Sequence, residues 1–351
     1  MKKSLLLLTA AIVILLPGCK KDTDSQTTNP DTPAGRHALL LNEGTWGGNN
    51  ASISRIDLDA GTLTNDWFAA ANGRGLGDLA QDLIHYGSKG YVTVSKSNTI
   101  EVFDWATGRS LKQISMGQRE PRYLVSHEGK VYASCYGNSV VRLDTATLTV
   151  EASCPLSGLR PEQLCVAGGR LYVCNSWEYG EGSSTLYDST LSVVDIASFA
   201  ETGKIAVGHN PGKVKALDDS RLLVSCAGDY GSHPAQTLIV NTRDGSTQSL
   251  PIAATGFDVQ GGSIYLYTTQ YDAQWNPVAA FYRVDATTLQ ATSLGITGLD
   301  DAYGITLDPV TGHLLICDSP YNACGDLHCH NADGSRRWSA EGGQMPSKVV
   351  F

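Results

Sequence analysis

The sequence has no cluster of lysine or arginine that would meet a nucleic-acid backbone. Acidic residues outnumber basic ones, 35 to 26, and the formal net charge is −9. That balance argues against nucleic acid as the partner. A Ser/His/Asp set in a recognisable motif, a Gly-rich phosphate loop and a zinc-ligand spacing are all missing. The eight histidines are scattered along the chain. No catalytic residue is therefore assigned, and the chain reads as a binding protein with no cofactor of its own. Long apolar runs are also scarce. The N-terminal run in MKKSLLLLTAAIVILLPGC is about 14 residues, short for a membrane span.

That N-terminal stretch has a basic start, an apolar middle and Leu16-Pro17-Gly18-Cys19. A small residue before cysteine at the end of such a run marks a secretory signal. It resembles a bacterial lipoprotein signal. The resemblance implies that residues 1–18 are removed, that Cys19 carries the lipid, and that lipid alone ties the protein to the outer membrane. Residues 19–36, with KKDTDSQTTNPDTPAG, are polar and aperiodic and read as a flexible tether. The KKDTD stretch resembles the charged segment that follows the lipid cysteine of surface-displayed lipoproteins in the Bacteroides group. This implies that the protein faces the cell exterior.

Nine cysteines are present. Cys135, Cys174, Cys226 and Cys317 each end the same kind of apolar strand and read as small buried hydrophobes. In CDSPYNACGDLHCH (317–330), Cys317 and Cys324 flank a tight turn and are candidates for a disulfide. His328 and His330 fall on one face of a strand expected to be exposed, where solvation is the ordinary fate and a metal the alternative.

An alternating run ending in Asp or Asn, then a turn, then a Thr-rich strand recurs seven times. The anchors are Asp57, Asp104, Asp144, Asp195, Asn241, Asp285 and Asn331, spaced 47, 40, 51, 46, 44 and 46 residues apart. Such a period belongs to four-stranded propeller blades. Each copy supplies an inner strand A, an apolar strand B, a strand C closed by the Asp or Asn, and an outer strand D. The first copy has no strand A, since HALLLNEG (37–44) is of B type, and MPSKVVF (345–351) is an A strand without a B. The expectation is an all-β, seven-bladed β-propeller over 37–351, closed by the C-terminal strand entering the first blade.

In this topology the B–C and D–A loops share one end of the ring. The A–B and C–D turns are short and bland, whereas the B–C set is long and aromatic. The longest, SWEYGEGSSTLYDST (176–190), outruns an ordinary hairpin turn several-fold and is expected to be a functional loop. Trp46, Trp177, Tyr179, Tyr187, Tyr230, Tyr271, Trp275 and Tyr321 fall on this rim. Arg74, Arg119, Arg122 and Arg160 fall nearer the axis. Broad, stiff rings with a polar tip suit recognition. The candidate ligand-binding set is those eight aromatics with Arg74 and Arg122. Asp78, Glu120, Glu162, Asp258, Asp300 and Asp301 line up near the axis as solvated channel lining, or as a metal site of lactonase type.

The stretches LLNEG (40–44), ANGRGLGDLAQDLI (71–84), EPRYL (120–124), NPGKV (210–214) and YGITLDPVTGHLLICDS (303–319) resemble the YncE-like seven-bladed propeller lipoproteins of Bacteroides-type bacteria. The NEG and NGxxLGDxxQ segments (Asn42 to Gly44, Asn72 to Gln81) look most like its cobalamin-binding surface members. That resemblance implies capture of cobalamin or a related corrinoid and its delivery to a TonB-dependent outer-membrane transporter. A glycan- or protein-binding propeller and a metal-dependent lactonase or lyase are the two alternatives.

Overall fold

A computed structural model describes residues 35–299 and 301–351. The expected leader, Cys19 and most of the tether lie outside the described residues, as does Asp300. The chain forms seven four-stranded antiparallel sheets. Six are consecutive meanders. The first combines Pro346–Val350, His37–Asn42, Ser52–Asp57 and Thr62–Thr64, so the C-terminal strand supplies its inner strand A. Its register sets Leu40 against Val349 and Leu41 against Lys348. The ring is closed as the repeat pattern predicts.

Period-two alternation divides each strand B between two neighbouring blades. In Arg170–Tyr179, Leu171 and Val173 pack with Tyr132 and Val140 of the preceding blade. Tyr172 and Cys174 pack with Val214, Leu222 and Cys226 of the next. The core is thus seven apolar layers between blades. Cys135, Cys174, Cys226 and Cys317 are buried there as free thiols, and burial pushes all four thiols up. Cys317 is consequently not bridged to Cys324, because its side chain is spent in the layer between the seventh and first blades. His328 and His330 also depart from expectation. They sit on the third strand, Cys324–His330, and both are buried. Burial depresses both imidazoles, that of His328 to about 4.

The repeat anchors hold the C–D turns. Asp104 Oδ1 accepts from Thr107 N at 2.9 Å, Asp144 Oδ1 from Thr147 N at 2.7 Å and Asp285 Oδ1 from Thr288 N at 2.7 Å. Asn241 Oδ1 accepts from Arg243 N at 2.9 Å. In the last blade the duty passes to Asp333, which accepts from Ser335 N at 2.9 Å. These are Asx turns, which explains the residue choice.

The inner strands surround the axis without backbone ladders between blades, so their N–H groups need other acceptors. Neighbouring side chains supply them. Asp82 Oδ2 accepts from Leu124 N at 2.8 Å, Gln163 Oε1 from Val214 N at 2.9 Å and Asp258 Oδ2 from Leu307 N at 2.8 Å. The second oxygen of Asp82 takes Lys348 at 2.7 Å, and that of Asp258 takes Lys215. Asp258, an axial acid read as channel lining, is therefore a tie between blades.

Asp258→Ala is expected to lower stability by about 1–3 kcal/mol, because it orphans the buried Leu307 N–H. Asp258→Asn keeps that acceptor and costs about 0–1 kcal/mol, the worth of a half-exposed ion pair. Equal urea midpoints for the two variants would remove the tie. Deleting residues 346–351 leaves strand His37–Asn42 as an open edge. The truncated protein should self-associate in sedimentation velocity, and a stable monomer would show that closure is dispensable.

Candidate functional site

The two longest B–C connections are not loops for most of their length. In the fourth blade the ladder runs on past a bulge between Asn175 and Trp177, pairing Trp177 with Tyr187 and Tyr179 with Thr185. The segment read as a long loop is a projecting β-hairpin, turned by a short 3-10 segment at Glu181–Ser183. The sixth blade does the same, with Tyr271 opposite Pro277. Backbone pairing is what holds 176–190 out from the ring.

The aromatic side chains of this end are mostly in solvent. Trp46, Tyr179, Tyr230, Tyr271, Trp275 and Tyr321 are all exposed, from 63% for Tyr271 to 84% for Tyr230. Trp177 and Tyr187 are half-buried at the hairpin base. Tyr230 and Trp275 adopt left-handed backbone, with φ of 57° and 64°. Bulky residues rarely accept that conformation. Carboxylates impose it: Asp229 accepts from Gly231 N and His233 N at 2.9 and 2.8 Å, and Asp272 from Gln274 N and Asn276 N at 2.8 Å each. The bond from the His233 ring, foremost, pulls the Asp229 carboxyl far down. These turns present rings outward at a cost in backbone strain.

The expected arginines divide. Arg122 is held on the inner strand Pro121–His127, its Nη2 3.1 Å from Glu162 Oε2 and its Nη1 donating to Gln81. Its guanidinium stacks 4.4 Å from the Tyr136 ring, and Tyr136 donates to the same Glu162. Arg160 stands over three rings: Trp177 at 4.9 Å, Tyr136 at 5.0 Å and Tyr179 at 5.5 Å. Trp177 and Tyr179 meet edge to face at 4.9 Å. Arg119 donates to Met116 O. Arg74 is drawn off to the buried Glu101, with Nη2 at 2.9 and 3.0 Å from its oxygens. It does not join the other arginines. The helix Trp67–Asn72, which occupies part of the expected 69–78 loop, sets Arg74 over Phe68 at 5.4 Å.

Below the rim, the inner strands enclose a cavity of ≈ 520 Å³. Glu43, Tyr123, Lys213, Tyr267 and Tyr303 line it, and none of them was in the expected set. The clue was present for two: Glu43 belongs to NEG and Lys213 to NPGKV. Tyr303 Oη donates to Glu43 Oε2 at 3.1 Å. Desolvation raises the Glu43 carboxyl to about 7, against the pull of Tyr303 and Arg122.

Of the other axial acids, Asp78 accepts from Gly47 N at 3.0 Å and Glu120 pairs with Lys96 at 2.8 Å. That lysine also covers the Trp46 ring at 4.0 Å. Asp301 accepts from Ser319 N through its carbonyl. Among the described residues no three of His, Cys, Asp and Glu gather in metal-ligand geometry.

No protein-family model matches the chain, and no curated protein matches it in sequence. Solved structures do match in fold. A quinonprotein alcohol dehydrogenase-like protein of Bacteroides thetaiotaomicron is 13% identical, with a TM-score of 0.63, over 89% of this chain and 77% of that one. A candidate 6-phosphogluconolactonase of Bacteroides fragilis is 15% identical, with a TM-score of 0.63, over 92% and 99%. A streptogramin B lyase is 14% identical, with a TM-score of 0.58, over 78% and 87%. Likeness at this identity shows a shared propeller fold and leaves enzymatic function open.

Glu43 yields a pH-dependent prediction. A carboxyl raised in the fold stabilises it below its unfolded value, near 4.5, and that contribution is lost as pH rises through about 7. Glu43→Gln should therefore gain on the wild type between those values, at up to about 1.4 kcal/mol per pH unit, and keep the gain above them. Urea unfolding from pH 4 to 9 checks this. A difference that stays flat with pH would mean that Glu43 is not the titrating group.

Proposed function

We propose that this propeller is a cell-surface lipoprotein that captures cobalamin or a related corrinoid and hands it to a TonB-dependent outer-membrane transporter. The observation carrying the reading is the set of exposed Trp and Tyr side chains on the B–C connections, at one end of the ring. A corrin is broad, apolar over its faces and edged with amides. Exposed rings together with the hydrogen-bonded Arg122, Glu162 and Tyr136 would offer such a ligand stacking area and hydrogen bonds. The two projecting hairpins extend that surface on one side of the ring. Capture needs no bond chemistry, which agrees with a site built of stacked and hydrogen-bonded groups. The lipid anchor at Cys19 and the outward orientation belong to the same proposal.

Two other occupants are compatible with parts of the site. Exposed Trp and Tyr also stack on sugars. A lactonase or lyase would need a cation, and two of the acids proposed for it are taken, Glu162 by Arg122 and Asp258 by Lys215 and Leu307 N.

Calorimetric titration of residues 36–351 with cyanocobalamin tests the reading. Tight one-to-one binding is expected, weakened at least tenfold by the double substitution Trp177→Ala and Tyr179→Ala. No heat at micromolar protein would remove the corrinoid and pass the rim to a glycan array.

A further inference from the structure

We propose that the channel beneath the rim is a second, separate binding site, for a small monocarboxylate. Its carboxylate would lie between Lys213 and Glu43, and its body against the rings of Tyr123, Tyr267 and Tyr303.

The argument starts from charge pairing around the cavity. Three lysines and three carboxylates line it, and two of those lysines are held in ion pairs. Lys215 is taken by Asp258 and Lys348 by Asp82. Lys213 lines the same cavity and, among the described residues, makes no ion pair; burial lowers its ammonium, and only the charge of Glu43 opposes that. Its Nζ stands 5.7 Å from the centre of the Tyr267 ring. A partly buried ammonium without an ion pair is a costly feature unless something occupies the space before it.

The sign of the ligand follows. An ammonium ligand would have to share the aromatic walls with a resident cation already over Tyr267. An anion would instead complete the hydrogen bonding of Lys213. Its charge should be single, because Lys213 is balanced in the cavity by Glu43 alone, whose carboxyl burial favours in the neutral form. Its body should be apolar and small, because three tyrosines and Phe257 form much of a cavity of ≈ 520 Å³.

Glu43 makes the site selective for protonation state. It faces Lys213, Arg122 and Tyr303, with Asp82–Lys348 and Asp258–Lys215 farther along the channel and Glu162 beyond Arg122. Burial already favours its neutral form near neutrality. A second anion beside it strengthens that preference, since like charges at close range do not both ionise. The neutral carboxyl then donates its O–H to the ligand while still accepting from Tyr303. The proton comes from solvent, so binding takes up a fraction of a proton at pH 7 and one at higher pH.

Benzoate is the probe, titrated calorimetrically into the purified protein at pH 6, 7 and 8 in buffers of different ionisation heat. Binding is expected at pH 6, with affinity falling up to tenfold per pH unit above 7 and a heat that tracks the buffer. Lys213→Met should lose at least tenfold in affinity. Glu43→Gln should retain binding at pH 6 and lose both the pH dependence and the proton uptake. Absence of benzoate binding at millimolar concentration and pH 6 overturns the site, as does undiminished binding to Lys213→Met. If Lys213→Met fails to fold, an unaltered pH profile in Glu43→Gln overturns it equally. Benzoate binding without a corrinoid response leaves the channel site standing, and corrinoid binding without benzoate removes it alone.

Discussion

Everything at the binding end rests on how the inner strands are joined. Strands around a propeller axis do not share a ladder with the next blade, so one row of N–H groups on each has no backbone partner. Here Asp82, Gln163 and Asp258 reach across to Leu124, Val214 and Leu307. Two of these carboxylates are held in turn by Lys348 and Lys215. The ties fix the spacing of blades near the axis, where apolar burial is thinnest because the channel is open. The layers of Leu, Val, Ile and Cys farther out then provide most of the burial energy.

A rigid ring lets the loops at one end be strained and exposed. Tyr230 and Trp275 hold left-handed backbone on carboxylate-capped turns, and the fourth-blade hairpin carries Trp177 and Tyr179 over Arg160. Such presentation fits recognition better than packing, since these side chains bury little of their own area. The channel mouth follows another logic. Lys215 and Lys348 are paired there, while Lys213 and Glu43 share the cavity and burial raises the Glu43 carboxyl to about 7. Rim and channel thus differ, with exposed rings above and a cavity lined by Glu43 and Lys213 below.

The repeat was legible because strand alternation and Asx turns are local. Asp57 through Asn331 mark each blade at nearly constant spacing, and MPSKVVF without a following strand pointed to closure. The rim aromatics were legible too, since topology alone puts B–C and D–A loops together. Two readings failed because burial depends on neighbours distant in the chain, and a third because a hairpin ladder ran on farther than its residues suggested. Cys317 was offered to Cys324 by sequence proximity, yet it packs against the first blade. His328 and His330 share a face, as period two demands, but that face is covered. The 176–190 segment lacked an obvious strand pattern, and cross-strand pairing still extended the ladder to Tyr179.

The sequence by itself determined the number of blades, their closure and the end of the ring that carries the rings of Trp and Tyr. Those follow from periodicities of two residues and of about 45, which every stretch of chain repeats. Only the tertiary structure decided the partners of the charged groups. Arg74 goes to Glu101, Arg122 to Glu162 and Asp258 to Lys215, whereas Lys213 and Glu43 meet only across the cavity. Charge pairing acts over a few ångströms between residues tens of positions apart, and no local pattern in the chain records which of them will meet.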